Sequence, residues 1–469
     1  MNSECTGVCR GSSGGQHSAE GTYSDGLGLL NNALREIAEA DWQMYAFDKL
    51  PDLSSHVRLH EQLLQARDIL SRHGHPAFAA SMPYAVCASI VETDAVVLSL
   101  RTHAGQIRSA LARSFEEEAS ALSPDEKALR LASFSAPVIC ELIRRRNHCA
   151  RKLGAESYAV LLFDSLGLDL EVMQSWLAEI AHTLGQLAPV DLTVGAVEVP
   201  RWTSYYNQIT QLRKEQEMLV EVSDDNAEQW AELVGIGVNE LRAGIRPDAP
   251  LAGWCLPVDR PNDVRLVIRP RKEGVALSTL LHEIGHHLQY TVPVPEEWQL
   301  ASPPAIFDET MASLLELAGS AVIFPGQFEQ LILRQAGQHD RKLQAAMVRR
   351  WALSGLFELQ AYRVNGISLD TLWAEMLQEH GFAAAFTHEW ALDSFYIYDP
   401  IYRFNYVVGP LWSAAELGRI APLTLQNVAA SIQELGQAAY GSSWRRLLGV
   451  EESLPAPAAY IKWIENQHM

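Results

Sequence analysis

Apolar residues recur every three to four positions, with charges between them, across residues 33–45, 57–71, 94–114 and 123–153. That spacing predicts amphipathic helices with one face turned inward. Residues 169–187 open on acidic side chains and continue with Val172, Met173, Trp176, Leu177 and Ile180, a further helix with negative charge at its favourable end. Period-two alternation is scarce here, so a helical scaffold is expected. Residues 188–203 then gather Pro189, Val190, Val194, Val197, Val199 and Pro200, the composition of a linker or hinge. Two polar helices are expected over 205–222 and 225–243. After them the character changes. Residues 251–257 and 263–269 read as two short strands joined by a Pro/Asn/Asp turn, and they lead straight into an apolar-faced helix over 275–290. The expected fold class is mainly α, with a small β-hairpin beside that last helix.

Composition narrows the partners. Lys plus Arg number 37 and Asp plus Glu 57, a formal charge of −20 over 469 residues. Such an excess of negative charge disfavours nucleic acid and anionic membranes. The length suits two or three domains, or one large helical body with a cleft. Cys5, Cys9, Cys87, Cys140, Cys149 and Cys255 are scattered, unlike a disulfide framework. No apolar run approaches the ~20 residues of a spanning helix, and residues 1–26 lack a signal-peptide core. The expected organisation is a disordered tail over 1–26, a helical wall over 27–200 and a catalytic region over 201–469, in a cytoplasmic protein.

The chemistry is concentrated in one short stretch. His282-Glu283-Ile284-Gly285-His286 is the His-Glu-x-x-His pattern, which on a helix projects two imidazoles from one face toward a single Zn2+ and sets the Glu beside them as general base. A catalytic zinc takes three protein ligands and keeps one position open, so a third ligand is needed. Glu296 and Glu297 sit in a Pro-rich loop, whereas Asp308 and Glu309 open the next helix. Ala312, one turn beyond Glu309, lets that helix approach closely, which favours Glu309 with Asp308 as the fallback. Glu316, two turns along the same face, is placed to orient a ligand imidazole. His287 points off the ligand face, to a supporting or surface position. An oxyanion also needs a donor; Tyr396, Tyr398, Tyr402 and Tyr406 precede Gly409, and Tyr402 and Tyr406 share a face if they lie on a helix. The hairpin ahead of the zinc helix is either an edge along which an extended substrate pairs or a plain support. Arg265, Arg269, Arg271 and Lys272 beside it are expected as solvated charges rather than substrate contacts.

Several segments together resemble the M3 family of zinc oligopeptidases, the thimet oligopeptidase and oligoendopeptidase F group of gluzincins. Thr279 to His286 looks like the family's zinc helix, and Asp308-Glu309 through Ala312, Ser313 and Glu316 like its third-ligand helix. Gly253-Trp254-Cys255, Phe357-Glu358 with residues 369–379, Arg146-Asn147 through Tyr158, and Tyr402-Arg403-Phe404-Asn405-Tyr406 with Gly409 and Leu411-Trp412 are also similar. The resemblance covers residues 140–420, most strongly 253–316. It implies two helical halves around a deep channel with zinc at the floor, and cleavage of short peptides. It implies His282, His286 and Glu309 as ligands, Glu283 as base, and Tyr402 and Tyr406 at the oxyanion and substrate. One departure stands out: the family's His about five residues before the first of those tyrosines is absent, and Tyr396-Ile397-Tyr398 occupies its neighbourhood, with His388 farther upstream. The expected function is a zinc metallopeptidase for short peptides, including one specialised for a dedicated peptide or biosynthetic intermediate. The alternatives are a metallocarboxypeptidase like those of family M32, and a non-catalytic peptide-binding helical protein. The sequence leaves the oligomeric state open.

Overall fold

The computed structural model describes residues 22–47, 53–73, 84–117, 123–187, 201–249, 252–272, 274–295, 303–322, 332–334, 341–364, 367–440, 443–450 and 453–465. Helices make up 72% of it, so the protein is mainly α, as the periodicity predicts. The first region holds α1 (Tyr23–Phe47), α2 (Leu53–Arg72), α3 (Tyr84–Glu92), α4 (Ala95–Glu117), α5 (Pro124–Lys152), α6 (Tyr158–Leu166) and α7 (Leu170–Leu187). α1 begins inside the tail expected over 1–26, because Thr22 and Asp25 hydrogen-bond one another's backbone and start the helix. Cys5 and Cys9, Glu296 and Glu297, and residues 188–200 of the expected linker lie outside the described residues.

The strong ends are encoded locally. Ser123 caps α5 by accepting the Glu126 N–H while the Glu126 carboxylate accepts the Ser123 N–H, a reciprocal box that satisfies two donors at once. Ser157 caps α6, and Gly167 closes it in the left-handed region at φ 64°.

The second region opens with α8 (Trp202–Gln216), β1 (Leu219–Val220), α9 (Ala227–Val234) and α10 (Val238–Gly244). Here the expected helices 205–222 and 225–243 are corrected. The first ends at Gln216, and Leu219 and Val220 become a buried strand between two others. The second breaks at Gly235, φ 71°. A two-residue strand carries no alternation to read; it exists because its partners arrive from elsewhere. The hairpin is β2 (Gly253–Asp259) against β3 (Asp263–Ile268), antiparallel. It leads to β4 (Val275–Ala276), α11 (Leu277–Tyr290), α12 (Ala305–Val322), β5 (Ile332–Arg334), α13 (Arg341–Ala361), α14 (Leu369–Glu379), α15 (Phe395–Tyr398), α16 (Asn405–Leu417), α17 (Leu425–Ala438), α18 (Trp444–Leu447) and α19 (Pro457–Glu465). β1 pairs with β4 on one side and β5 on the other, so the small sheet pins the start of α11.

The core of the second region is the stack α11–α12–α16. Leu280, Leu281, Ile284 and Leu288 are all at most 1% exposed. Two glycines set the spacing: a Cβ at Gly285 would lie 2.7 Å from Ala312 Cα, and one at Gly409 would lie 2.9 Å from the Glu309 carbonyl oxygen. Either added methyl would push the helices apart. The apolar core is continuous from Cys87 to Ile464, and a satellite core joins α1, α2 and α3. α1 also reaches the hairpin through Arg35–Asp259 and Glu39–Arg265, both 2.8 Å. Among the described residues no helix is long and apolar enough to cross a membrane.

Candidate active site

α11 places His282 and His286 on one face, ring centroids 5.0 Å apart. The close approach at Gly285 then brings Glu309 of α12 between them. Its carboxylate lies 3.2 Å from His282 Nε2 and 3.6 Å from His286 Nε2. One ligand atom from each of the three residues falls within 4.8 Å of the others, a group able to hold a metal ion. The donor chemistry fits such an ion. His282 Nδ1 is bonded to Glu316 Oε2 at 3.0 Å, which leaves the Nε2 lone pair for a metal. Burial works against charge on Glu309, but the adjoining imidazoles of His282 and His286 outweigh it and hold the carboxyl well below its usual range. Asp308 is directed elsewhere, accepting from Gln289 at 2.5 Å with Arg260 at 3.9 Å.

Glu283 sits one residue along and is 8% exposed. Burial raises its pKa, countered in part by the two histidines. β2 runs against it: a Cβ at Gly253 would meet Glu283 Oε1 at 2.6 Å. His287 is buried rather than at the surface, and burial depresses its pKa. α11 is packed among α12, α17 and the β2–β3 hairpin, and Glu240 of α10 is the charged group near His287. His286 stacks on Tyr290 at 5.6 Å, and Tyr290 in turn lies 3.9 Å beneath the Arg260 guanidinium.

The four tyrosines divide into two pairs. Tyr402 donates to Glu309 Oε1 at 2.5 Å. Tyr406 lies 5.5 Å from Tyr402 and 6.5 Å from His282 between ring centroids; among the described residues its hydroxyl has no recorded hydrogen bond. Burial first, then the Glu309 charge, lifts both phenols well above the usual tyrosine value, so both stay protonated. The two tyrosines do not share a helix face: α16 starts at Asn405, and Tyr402 reaches the site from the preceding turn. Tyr396 and Tyr398 go elsewhere. The Tyr396 hydroxyl donates to the Ser354 carbonyl and its ring packs on Phe357, while Tyr398 lies against Gly105 of α4. His388 bonds to Asp370, and Phe395 packs on Tyr402 and Tyr406 instead.

His282, Glu283, Glu316 and Tyr406 open onto a cavity of about 530 Å³, whose other walls include Ala252, Gly253, Tyr206, Arg350, Trp351 and Tyr460. Of the basic residues at the hairpin, Arg265 pairs with Asp263 and Glu39, Arg269 donates to the Ala249 carbonyl and Arg271 pairs with Glu217. Missed in the sequence are Arg350 and the groups that hold the tyrosine segment: Arg101, Arg108 and Glu358. Arginines in amphipathic helices look like ordinary solvated charges until their burial is known.

Neither a family model nor a curated protein sequence matches the chain. Its shape does match solved structures. An oligoendopeptidase F aligns with 96% of this chain and 95% of its own, at a TM-score of 0.61 and 10% identity. An oligoendopeptidase F from Bacillus anthracis aligns with 88% of this chain and 81% of its own, at 0.56 and 13%. Metallocarboxypeptidase 1 of Trypanosoma cruzi aligns with 95% and 99%, at 0.53 and 12%. The chain therefore shares the overall fold of these solved peptidase structures.

Proposed function

We propose that this protein is a zinc-dependent metallopeptidase that hydrolyses short peptides. The observation that carries the reading is the Glu309 carboxylate set between the Nε2 atoms of His282 and His286, with Glu283 beside them at the same cavity wall. His282, His286 and Glu309 would hold the zinc, which when bound would supply an acidified water, with a pKa of about 7, and Lewis-acid polarisation of the substrate carbonyl. Glu283 takes the proton of the attacking water and delivers it to the leaving amine. Tyr406, protonated and facing the cavity, donates to the developing oxyanion. Tyr402 holds the Glu309 carboxylate in place through its 2.5 Å bond. Ala252 and Gly253, where β2 begins, line the cavity, which favours an extended peptide lying along that strand edge. The cavity admits a few residues of chain and not a folded domain, in keeping with oligopeptides or one dedicated precursor.

An unbiased peptide library, incubated with the protein with and without a chelator, tests the reading. Chelator-sensitive cleavage is expected, with cuts inside peptides. Cuts only at the last residue would favour the metallocarboxypeptidase alternative, which the likeness to metallocarboxypeptidase 1 keeps in view. Binding with no cleavage at any metal loading would leave the peptide-binding alternative.

A further inference from the structure

Most charged groups around the cavity have partners. Glu316 receives His282 Nδ1 at 3.0 Å. Glu217 accepts from Ser278 at 3.0 Å and pairs with Arg271. Arg403 is gripped by both oxygens of Asp393, at 3.0 and 2.6 Å. Arg350 differs. It is 7% exposed, its guanidinium stacks 3.7 Å over the Tyr206 ring, and it lines the cavity. Among the described residues no hydrogen bond or ion pair of its guanidinium is recorded. Burial draws its pKa down, with Arg403 and Arg213 adding to the shift and Tyr206 and Asp393 opposing it; the Asp393 carboxylate is already held by Arg403, and a guanidinium keeps its proton at neutral pH.

A buried cation with five donors and no acceptor is costly unless something else supplies the acceptor. Its place indicates what. The next residue, Trp351, packs 5.2 Å from Tyr406, and Tyr406 faces His282. Arg350 therefore lines the same cavity as His282 and Glu283. Its planar fork matches a carboxylate with two parallel hydrogen bonds, and stacking on Tyr206 fixes the plane of that fork.

We propose that Arg350, floored by Tyr206, is the receptor for a carboxylate of the bound peptide, so that the site selects peptides presenting a free C-terminus or an acidic side chain at that end of the cavity. The inference rests on the peptidase reading for what is bound, and its test separates the two.

The test uses short fluorescein-labelled peptides in matched sets: C-terminal acid against amide, and internal Glu against Gln in the amide. Dissociation constants are measured on the full-length Glu283→Gln protein, and kcat/KM ratios on protein with Glu283 intact. One carboxylate arm should bind about 10- to 100-fold more tightly than its neutral counterpart, and the responding arm identifies the source of the carboxylate. Arg350→Met should shrink that ratio to within about threefold, and Arg350→Lys should keep part of it. If Arg350→Met loses its cooperative thermal transition, Arg350→Lys carries the test, since a point charge without the fork should still weaken the preference. Equal binding of acid and neutral peptides, or an unchanged ratio in the Arg350 variants, overturns the proposal. Carboxylate-selective binding without any cleavage would sink the peptidase reading and leave the receptor standing. Chelator-sensitive cleavage without an acid preference would do the reverse.

Discussion

His282, Glu283 and His286 ride on one helix and Glu309 on the next, whereas Tyr402 and Tyr406 are delivered by a run of short turns. On the metal side each side chain's direction follows from its helix, and one close approach, at Gly285, joins the pieces. On the tyrosine side the backbone is held by distant groups. Arg146 donates to the carbonyls of Tyr396 and Ile397 at 2.7 and 2.8 Å, and Arg101 to that of Tyr398 at 3.2 Å. Arg108 donates to the carbonyls of Ala391 and Leu392. Ile401 stands in the left-handed region at φ 57°, unfavourable for a β-branched residue, and its N–H is taken by Glu358 at 2.8 Å. The N-terminal helices thus shape the half of the site that carries the tyrosines, while the metal half is nearly self-contained.

Several measurements sharpen or break this contrast. Glu309→Ala should have the largest effect: metal content by elemental analysis falls below stoichiometric and activity disappears. Stoichiometric zinc in that variant would transfer the ligand role to Asp308. Glu283→Gln should keep its metal and lose about 10²- to 10⁴-fold in kcat; full turnover there would remove Glu283 as base. Tyr406→Phe should lower kcat by about 10²- to 10³-fold with metal retained. Tyr396→Phe should leave kcat near wild type and cost about 1 kcal/mol of stability, from its lost bond to Ser354. The opposite ranking of those two variants would overturn the division of the tyrosines. Glu316→Gln should weaken metal affinity by about 10- to 100-fold in a chelator competition, since it orients His282.

Glu358 is read in stability rather than in turnover. Burial pushes its pKa up to about 8, only partly offset by the Ile401 N–H. A carboxyl whose folded pKa is raised binds more protons folded than unfolded, so its contribution to stability declines as pH rises. That contribution is whole below the unfolded value of about 4.3 and fades as pH climbs toward about 8. The melting temperature should therefore fall across this window in the wild type and fall less in Glu358→Gln. An identical slope in both would show that Glu358 does not titrate there.

Much of the scaffold was legible because amphipathic helices declare themselves by spacing. The helices expected over 57–71, 123–153 and 169–187 match Leu53–Arg72, Pro124–Lys152 and Leu170–Leu187 within a few residues. The hairpin and its helix were legible for the same reason. The strand at Leu219–Val220 was not, since two residues have no period and its pairing is non-local. Nor was the burial of His287, which depends on what packs around α11.

By itself the sequence set His282 and His286 on one face, because residues four apart on a helix share it, and put Asp308 and Glu309 at the start of the next helix; the approach of Gly285 to Ala312 and the turning of Glu309 rather than Asp308 toward the histidines belong to the tertiary structure. The tertiary structure alone decided which of four nearby tyrosines enter the site, since turns held by Arg101, Arg146 and Glu358 have no direction of their own. It also decided that Arg350 stands buried over Tyr206 at the cavity wall: burial is a property of what packs around a side chain, and no local pattern in the chain records it.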